Sequence, residues 1–330
     1  MVTPSGSVAS WRGVQLHVVT GKGGTGKTTV AAALALALAA SGQRTLICEV
    51  EQRQGFAQLF DVPPLPYEER RVAVAANRGE VYALAVDPEA ALLEYLDMFY
   101  KLGRAGRALR RVGAVDFATT IAPGLRDVLL TGKIYEAVGR RRSGRRLYDA
   151  VVLDAPPTGR IGRFLNVNEE VAGLAKVGPV RQQSDSIMSL LRSPRTVVHL
   201  VTILEEMPTQ ETVDAAAELT GLGIHLGAVI VNRVRTTPLT KAQLTAVGKG
   251  RVDTAEIAAG LKEAGLAATY ADALIAQTKD LAKRVALESA ERTALSALNR
   301  PLVKLPWLRD GIDVGALYTL AGELARQGLR

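Results

Sequence analysis

Residues 14–29 read VQLHVVTGKGGTGKTT, an apolar stretch that runs directly into a glycine-rich loop. The apolar part predicts a buried strand, and the rest matches the G-x-x-x-x-G-K-[ST] pattern of a phosphate-binding loop that opens a helix. In such a loop the backbone amides point at phosphate oxygens, and the helix N-terminus adds positive potential. We therefore expect a nucleotide-phosphate site formed by Gly21, Lys22, Gly23, Gly24, Thr25, Gly26, Lys27, Thr28 and Thr29.

Two residues of this loop have distinct chemical roles. The ammonium group of Lys27 can reach the β and γ phosphates of a nucleotide, and the hydroxyl group of Thr28 can ligate Mg²⁺. The pattern requires a strand before the loop and a helix after it, and the sequence predicts both. A glycine-rich turn that binds nothing is the weaker interpretation.

Further apolar runs of strand length follow along the chain, mostly separated by helical patterns. Near-continuous apolar strands that alternate with helices are typical of a mostly parallel sheet covered on both faces. The runs are 45–50, 81–86, 148–154, 196–204, 226–231 and 302–305. The predicted fold class is therefore α/β, a doubly wound, mostly parallel sheet of the P-loop NTPase type.

The domain organisation follows from the spacing of these runs. Residues 1–13, rich in Ser, Gly and Thr, are predicted as a flexible tail, and residues 14–330 as a single domain. Two segments, about 89–147 and 160–194, are too long for simple crossovers and carry helical patterns. We expect them to form a helical subdomain inserted into the sheet domain.

Acidic side chains follow two of the predicted strands. Glu49 and Glu51 stand at the end of the run 45–50, and alternation places them on the same side of the strand end. Asp154 ends the run 148–154, the Walker B pattern in which a carboxylate holds a water on Mg²⁺. Open α/β sheets bind ligands at the carboxyl ends of their strands. We expect Thr28 and Asp154 to hold Mg²⁺ there, Asp154 through water.

An ordinary phosphate loop does not need the second lysine, Lys22. The sequence Lys-Gly-Gly-Thr-Gly-Lys-Thr over residues 22–28 resembles the deviant Walker A signature of arsenite-pump ATPases, tail-anchored-protein-targeting ATPases and the division-site and chromosome-partitioning ATPases. In those relatives the first lysine reaches across a dimer to the partner's nucleotide. The resemblance, closest to actinobacterial members of the arsenite-pump and tail-anchor-targeting group, implies ATP and Mg²⁺ as ligands, ATP hydrolysis, and Lys22 acting in trans like an arginine finger.

The resemblance also assigns switch residues. In that group an Asp-Pro-Ala-His motif begins at the position of Glu51, and its aspartate polarises the attacking water. Glu51 keeps the carboxylate but is one methylene longer, and the Pro-Ala-His is absent. The family's second switch, Asp-Thr-Ala-Pro-Thr-Gly-His, matches Asp-Ala-Pro-Pro-Thr-Gly-Arg at 154–160.

These matches imply catalytic roles for Glu51, Lys22 and Lys27, and a γ-phosphate contact for Gly159. Arg160 stands where the family has histidine, which would alter how closure is coupled to the nucleotide. A misplacement of about 1 Å can cost roughly a hundredfold in rate, so these replacements leave both ordinary and slow hydrolysis open.

Two residues extend the expected site toward the base. The run 226–231 ends at Asn232, whose side chain can pair with an adenine edge. The family has an asparagine at this point, followed by a proline-containing loop near the base that Leu305-Pro306-Trp307 resembles. We expect Asn232 and Pro306 to contact the nucleotide, with an ordinary strand-to-loop turn as the alternative for Pro306.

The amino-acid composition limits the cellular compartment and the classes of partner that are expected. The 330 residues have a net charge of +8 and one cysteine, Cys48, which favours a reducing, cytoplasmic setting. One cysteine cannot supply the soft trigonal site that arsenite extrusion needs.

The arginine clusters at 104–111 and 140–146 lack interleaved aromatic residues, so solvated faces are favoured over nucleic-acid binding. The longest apolar run, 30–40, is half the roughly 20 residues of a membrane span, so we expect no integral membrane segment.

The resemblance implies a dimer, of identical chains or of this chain with a similar ATPase, that closes on ATP and opens on hydrolysis. In targeting members the helical subdomain grips a hydrophobic or membrane-protein client in a methionine-rich groove, whereas this chain has only four methionines. Several apolar residues fit either such a groove or a core: Leu96, Phe99, Leu102, Ile187, Leu190 and Leu191. The alternatives are a switch at the membrane surface like the division-site ATPases, or a nucleotide-sensing module with slow or no hydrolysis.

Overall fold

The computed structural model describes Trp11 and residues 13–100, 125–167, 169 and 179–330. Its strands are β1 (Leu16–Gly21), β2 (Arg44–Glu49), β3 (Arg70–Val74), β4 (Glu80–Ala85), β5 (Arg141–Arg142), β6 (Arg145–Arg146), β7 (Ala150–Asp154), β8 (Thr196–Thr202), β9 (Leu226–Val234) and β10 (Leu302–Pro306). Eight of them form one sheet in the order β10-β9-β8-β1-β7-β2-β4-β3, and β5 pairs with β6. Every neighbouring pair of the large sheet is parallel except β3 with β4, which confirms the predicted mostly parallel sheet.

All seven predicted strands are present, but the edge strand β3 and the β5–β6 hairpin were not predicted. The edge strand β3 and the β5–β6 hairpin are rich in arginine and largely exposed. Both lack the continuous apolar run that marks a strand buried on two faces. Their hydrogen-bonded neighbours hold them in place, so hydrophobic patterning gives no signal there.

The described helices are α1 (Lys27–Ala39), α2 (Gly55–Leu59), α3 (Pro88–Tyr100), α4 (Leu125–Gly139), α5 (Thr158–Leu165), α6 (Pro179–Leu191), α7 (Glu206–Gly221), α8 (Lys241–Gly248), α9 (Thr254–Glu263), α10 (Ala271–Ser296) and α11 (Val314–Arg326). One face of the sheet is covered by α1 and α11, and the other by α4 to α7. The apolar run 30–40 is the buried helix α1, as predicted. The sheet is therefore wound on both faces.

The predicted helical subdomain is described only in part. The helices α4, α5 and α6 contribute buried side chains to the core beneath the sheet. Ile187, Leu190 and Leu191 are at most 3 % exposed there, so they pack the core and do not line a groove. The other candidate groove residues, Leu96, Phe99 and Leu102, lie outside the side chains that the structure describes. Most of the predicted tail, residues 1–13, also lies outside the described residues.

A second helix-rich segment lies between β9 and β10. Its longest helix, α10, buries only Ala271, Ala282 and Leu295, and α9 has no fully buried residue. Leu295 packs against Val229 and Val231 of β9, which anchors one end of α10 to the sheet. Within the described ranges, no helix has the length and apolar composition needed to cross a membrane.

Candidate functional site

The phosphate loop joins β1 to α1 at the centre of the sheet and depends on glycine at particular positions. Gly24 and Gly26 have φ angles of 87° and 90°, a left-handed region that favours glycine. A Cβ atom on Gly21 would lie 2.0 Å from the Val201 carbonyl oxygen of β8, and one on Gly26 would lie 2.4 Å from Asn232 Nδ2. The loop backbone therefore leaves no room for a side chain at Gly21 or Gly26.

Hydrogen bonds fix the shape of this loop. Thr25 Oγ1 donates to the Lys22 carbonyl oxygen at 2.8 Å, and Asn232 Nδ2 donates to the Thr25 carbonyl oxygen at 2.8 Å. Thr20 Oγ1, at the end of β1, donates to the Pro156 carbonyl oxygen at 2.7 Å. The loop is thus tied both to β9 and to the segment that follows β7, before any ligand binds.

Lys27 and Thr28 begin α1 and face the end of β7. Lys27 is 8 % exposed; burial lowers its pKa, while Asp154 and Glu51 nearby raise it. Thr28 Oγ1 donates to Asp154 Oδ2 at 2.7 Å. Thr29 follows in the first turn of α1. The structure therefore brings the predicted lysine, hydroxyl and carboxylate to one point.

Asp154 is a buried carboxylate with one unpaired oxygen. Burial raises its pKa to about 7, opposed by the Thr28 hydrogen bond and by Lys27. Its Oδ1 atom is buried without a hydrogen-bond partner. Such an orphaned oxygen costs about 1–3 kcal/mol in a neutral group and more in a charged one. Carboxylate and hydroxyl oxygens are ligands that suit Mg²⁺, so Thr28 and Asp154 fit this ion.

The structure places Glu51 two residues beyond the end of β2, half-buried and close enough to Lys27 and Asp154 to shift the pKa of each. Its Oε2 lies 3.5 Å from Arg53 Nη2. The flanking residues Gln52 and Gln54 have φ angles of 55° and 54°. The backbone after Glu51 is thus sharply turned, where the resembling family has Pro-Ala-His.

Lys22 is held by its own chain. Its ammonium group forms an ion pair with Glu211 on α7, and Glu211 also accepts a hydrogen bond from Thr158 Oγ1 at 2.8 Å. Glu211 therefore connects the phosphate loop to the first residue of α5, in the segment predicted as the second switch. The sequence did not predict Glu211 as a site residue, because a single carboxylate on a helix has no distinguishing pattern.

Gly159 and Arg160, which the sequence predicts as switch residues, lie at the start of α5. Gly159 is in its first turn, where backbone N–H groups have no intrahelical partner, and space beside its Cα is open. Arg160 is 60 % exposed and lies 3.9 Å from Asp127 of α4. Arg160 thus points toward α4.

A cavity of about 470 Å³ extends from Asn232 to α10 at the carboxyl ends of the strands. Its lining includes Trp307, whose ring lies 4.7 Å from the Arg235 guanidinium carbon. Pro306 pairs with Val234 in the sheet and precedes Trp307, but it does not line the cavity. Asn232 and Pro306 were predicted as nucleotide contacts, whereas Trp307 and Arg235 were not. The pairing of β9 with β10 brings Trp307 and Arg235 together.

A phosphate loop after a central parallel strand, with an aspartate ending the neighbouring strand, defines a P-loop NTPase-like α/β protein. The family model for anion-transporting ATPases matches residues 14–194. The chain belongs to the anion-transporting ATPase family.

Relatives fall into two groups. The chain is 54 % identical to the ATPase BagA of Mycobacterium tuberculosis over 332 residues, 98 % of each protein. It is 25 % identical to the arsenical pump-driving ATPase of Escherichia coli over 335 residues, which cover 93 % of this chain and 53 % of that protein. The arsenical pump-driving ATPase of Acidiphilium multivorum is also 25 % identical, over 90 % of this chain and 52 % of that protein. The chain thus spans about half of these two longer relatives.

Proposed function

We propose that this chain hydrolyses Mg-ATP at the phosphate loop and works as a dimer whose closure depends on nucleotide. The observation that carries the proposal is the meeting of Lys27, Thr28 and the orphaned oxygen of Asp154 at one strand edge. In the reaction, water adds to the γ-phosphorus and the bond to the bridging oxygen of ADP breaks. ADP, phosphate and a proton are released.

The loop amides and Lys27 bind and orient the phosphates. Lys27 is largely buried, so its charge acts on the transferred phosphoryl group with little screening by water. Thr28 and Asp154 would hold Mg²⁺, which neutralises charge on the β and γ phosphates when it is bound. Gly159, in the first turn of α5, would donate its amide to the γ-phosphate. Each role uses a group that lies at the same edge of the sheet.

Glu51 would orient the attacking water and accept its proton. Its closeness to Lys27 and Asp154 supports the role, and its longer side chain and altered flanking residues favour slow turnover. The ion pair with Arg53 is exposed on the arginine side and restrains the carboxylate only weakly. Glu51 is therefore free to move when nucleotide binds.

Lys22 would act on the nucleotide of the partner subunit. In the single chain it is bound to Glu211, so dimer closure must exchange this contact for the partner's phosphates. Because Glu211 also holds Thr158, the same exchange would release the second switch. The partner would be an identical chain or a similar ATPase chain.

The adenine base would occupy the cavity beside Asn232. Asn232 lies both on the phosphate loop and in the cavity wall, which makes the two continuous. One amide hydrogen of Asn232 is used on Thr25, and the exposed face of Trp307 offers a surface for stacking. Pro306 would act by setting the position of Trp307.

The helical elements beside the switches would respond to closure by binding or releasing a hydrophobic or membrane-protein client at the membrane periphery. Arg160 links the second switch to α4, a path by which α5 can move the helical layer. Capture of Glu51→Gln protein from its own cells with ATP would show whether proteins with membrane segments co-purify; their absence would remove this part of the proposal.

Arsenite extrusion is not part of the proposed function. Cys48 is buried within β2, and burial raises the pKa of its thiol. One buried thiol supplies neither the number nor the exposure of sulfur ligands that a metalloid site needs.

The alternative, a membrane-surface or regulatory switch with slow or no hydrolysis, has less support. The apolar residues of the C-terminal helix α11, Leu317, Leu320 and Leu324, are at most 1 % exposed and pack against α1. They are not available to insert into a lipid surface.

The direct test is phosphate release with Mg-ATP by wild-type protein and by Glu51→Gln. We expect measurable turnover by the wild type and a loss of about 100-fold or more in the variant, since a positioned base contributes roughly 10²–10⁴-fold. Glu263→Gln, which changes an exposed glutamate on α9, is the matched control and should keep the wild-type rate. Equal rates for Glu51→Gln and the control would remove Glu51 from the mechanism.

A further inference from the structure

Glu49 is a buried carboxylate that the proposed mechanism does not use. It ends β2 and is 2 % exposed. Its Oε2 atom accepts hydrogen bonds from the backbone amides of Gly55 at 2.8 Å and Phe56 at 3.4 Å, at the start of α2. Its Oε1 atom is buried and has no hydrogen-bond partner. One oxygen of the Glu49 carboxylate is therefore hydrogen-bonded, and the other has no partner.

The orientation of Glu49 follows from the register of the sheet. Glu49 is paired with Asp154 across β2 and β7. Side chains paired in register on parallel neighbours point to the same face of the sheet. Ile47 and Val152, two residues earlier on each strand, belong to the core packed under α1. Glu49 and Asp154 are therefore on the α1 face, at the strand ends where α1 begins.

Gly55 links Glu49 to the phosphate-loop helix. A Cβ atom built on Gly55 would lie 2.8 Å from Thr28 Cγ2 and 3.7 Å from Glu49 Oε2. The Glu49 carboxylate and the Thr28 side chain therefore both lie close to Gly55. The charge of Glu49 is also close enough to contribute to the raised pKa of Asp154.

Two carboxylate oxygens, Glu49 Oε1 and Asp154 Oδ1, are therefore buried at paired positions of neighbouring strand ends with no hydrogen-bond partner. Two like charges at neighbouring strand ends repel each other, and each orphaned oxygen adds a desolvation cost. A hard divalent cation with its bound water removes both costs, because it supplies positive charge and hydrogen-bond donors to oxygen ligands.

We propose that Glu49 is a further residue of the cation site, which holds the divalent cation jointly with Thr28 and Asp154. This inference rests on the proposed function and adds a second carboxylate to its metal site. Because the other oxygen of Glu49 holds the start of α2, the cation is linked through one side chain to the segment that follows Glu51. Cation binding then orders that segment as well as the phosphates.

The test is the affinity for Mn²⁺, measured by the EPR signal of the free ion with a non-hydrolysable ATP analogue at saturation. Glu49→Gln keeps an oxygen for the Gly55 and Phe56 amides but removes the charge. We expect it to weaken Mn²⁺ binding by about tenfold or more, the usual effect of losing a residue that supports a metal. Glu263→Gln, which removes an exposed carboxylate of α9, is the matched control and should change the Mn²⁺ affinity by less than about threefold.

An affinity equal to that of the control would overturn the role of Glu49. The two proposals fail separately, because binding of a fluorescent ATP analogue to the wild type is measured in parallel. Wild-type protein that binds neither the analogue nor Mn²⁺ would overturn the proposed function and this inference together. Normal wild-type binding with an unaffected Glu49→Gln variant would overturn this inference alone.

A second readout uses the wild-type protein, so it does not depend on the folding of a variant. Hydrogen exchange of the peptide spanning residues 50–60 is compared for the analogue-bound protein with and without Mn²⁺. The link through Glu49 predicts slower exchange of the Gly55 and Phe56 amides when Mn²⁺ is added. Exchange that is independent of Mn²⁺ would contradict the link.

Discussion

At the scale of single residues, the site contains charged and polar groups whose partners are incomplete. Asp154 and Glu49 each leave one oxygen unpaired, while Lys22 has a partner within its own chain. A folded protein bears such costs at sites that must bind ligands, because the ligand completes them. The unpaired oxygens of Asp154 and Glu49 therefore fit the proposed cation site.

Asp154 predicts a pH dependence of stability. Burial raises its pKa from an ordinary value of 3.8 to about 7, so the folded protein binds a proton there that the unfolded chain has already lost. This group therefore stabilises the fold least at high pH, and its contribution falls as pH rises from about 4 to 7. Without nucleotide and metal, Asp154→Asn should gain stability relative to wild type as pH rises, by a few kcal/mol at about pH 8.

Urea unfolding at several pH values between about 5 and 8 measures this difference. Buried His17, whose pKa burial lowers to about 3, gives the opposite slope below about pH 6.5, but it is present in both proteins and cancels. A difference in unfolding free energy that does not vary with pH would show that Asp154 is not perturbed as described.

At the scale of elements, the helices differ in how far packing stabilises them. Leu320 of α11 is 1 % exposed and packs against α1, whereas Leu287 of α10 is 66 % exposed. The helix α1 carries the phosphate loop at its start, so α11 stabilises the element that positions Lys27 and Thr28. The longer helix α10 is anchored mainly at one end.

Leu320→Ala should lower the free energy of unfolding by about 2–5 kcal/mol, the range for removing a buried leucine. Leu287→Ala makes the same chemical change at an exposed site and should cost less than about 0.5 kcal/mol. Chemical denaturation of both variants checks this. Similar losses would mean that α10 is packed against something in solution or that α11 is loosely held.

At the scale of the whole molecule, the central sheet could be predicted because seven strands are buried and apolar. The edge strand β3 and the β5–β6 hairpin could not, since they are arginine-rich and depend on pairing with neighbours. The phosphate loop and Asp154 could be predicted because their spacing is local. Glu211 and Trp307 could not, because each reaches the site through the packing of distant segments.

The alternation of Glu49 and Glu51 at the end of β2 indicated two acids at the ligand edge, but it could not separate their roles. The structure does so through hydrogen bonding. Glu49 holds the start of α2 from a buried position, whereas Glu51 lies beyond the strand in a turned, half-buried segment. Local sequence thus gave the position of the acids, and the fold gave their surroundings.

We propose that each ATP site is completed by Lys22 of a second subunit, and mixing two complementary variants tests this proposal. Phosphate release is measured for Lys22→Ala alone, for Glu51→Gln alone and for the two mixed in equal amounts, with wild-type protein as the reference. Random pairing makes about half the dimers mixed, each with one complete site, so we expect two inactive proteins to recover about a quarter of the wild-type rate. A mixture no faster than its separate components, while the wild type turns over, would contradict it.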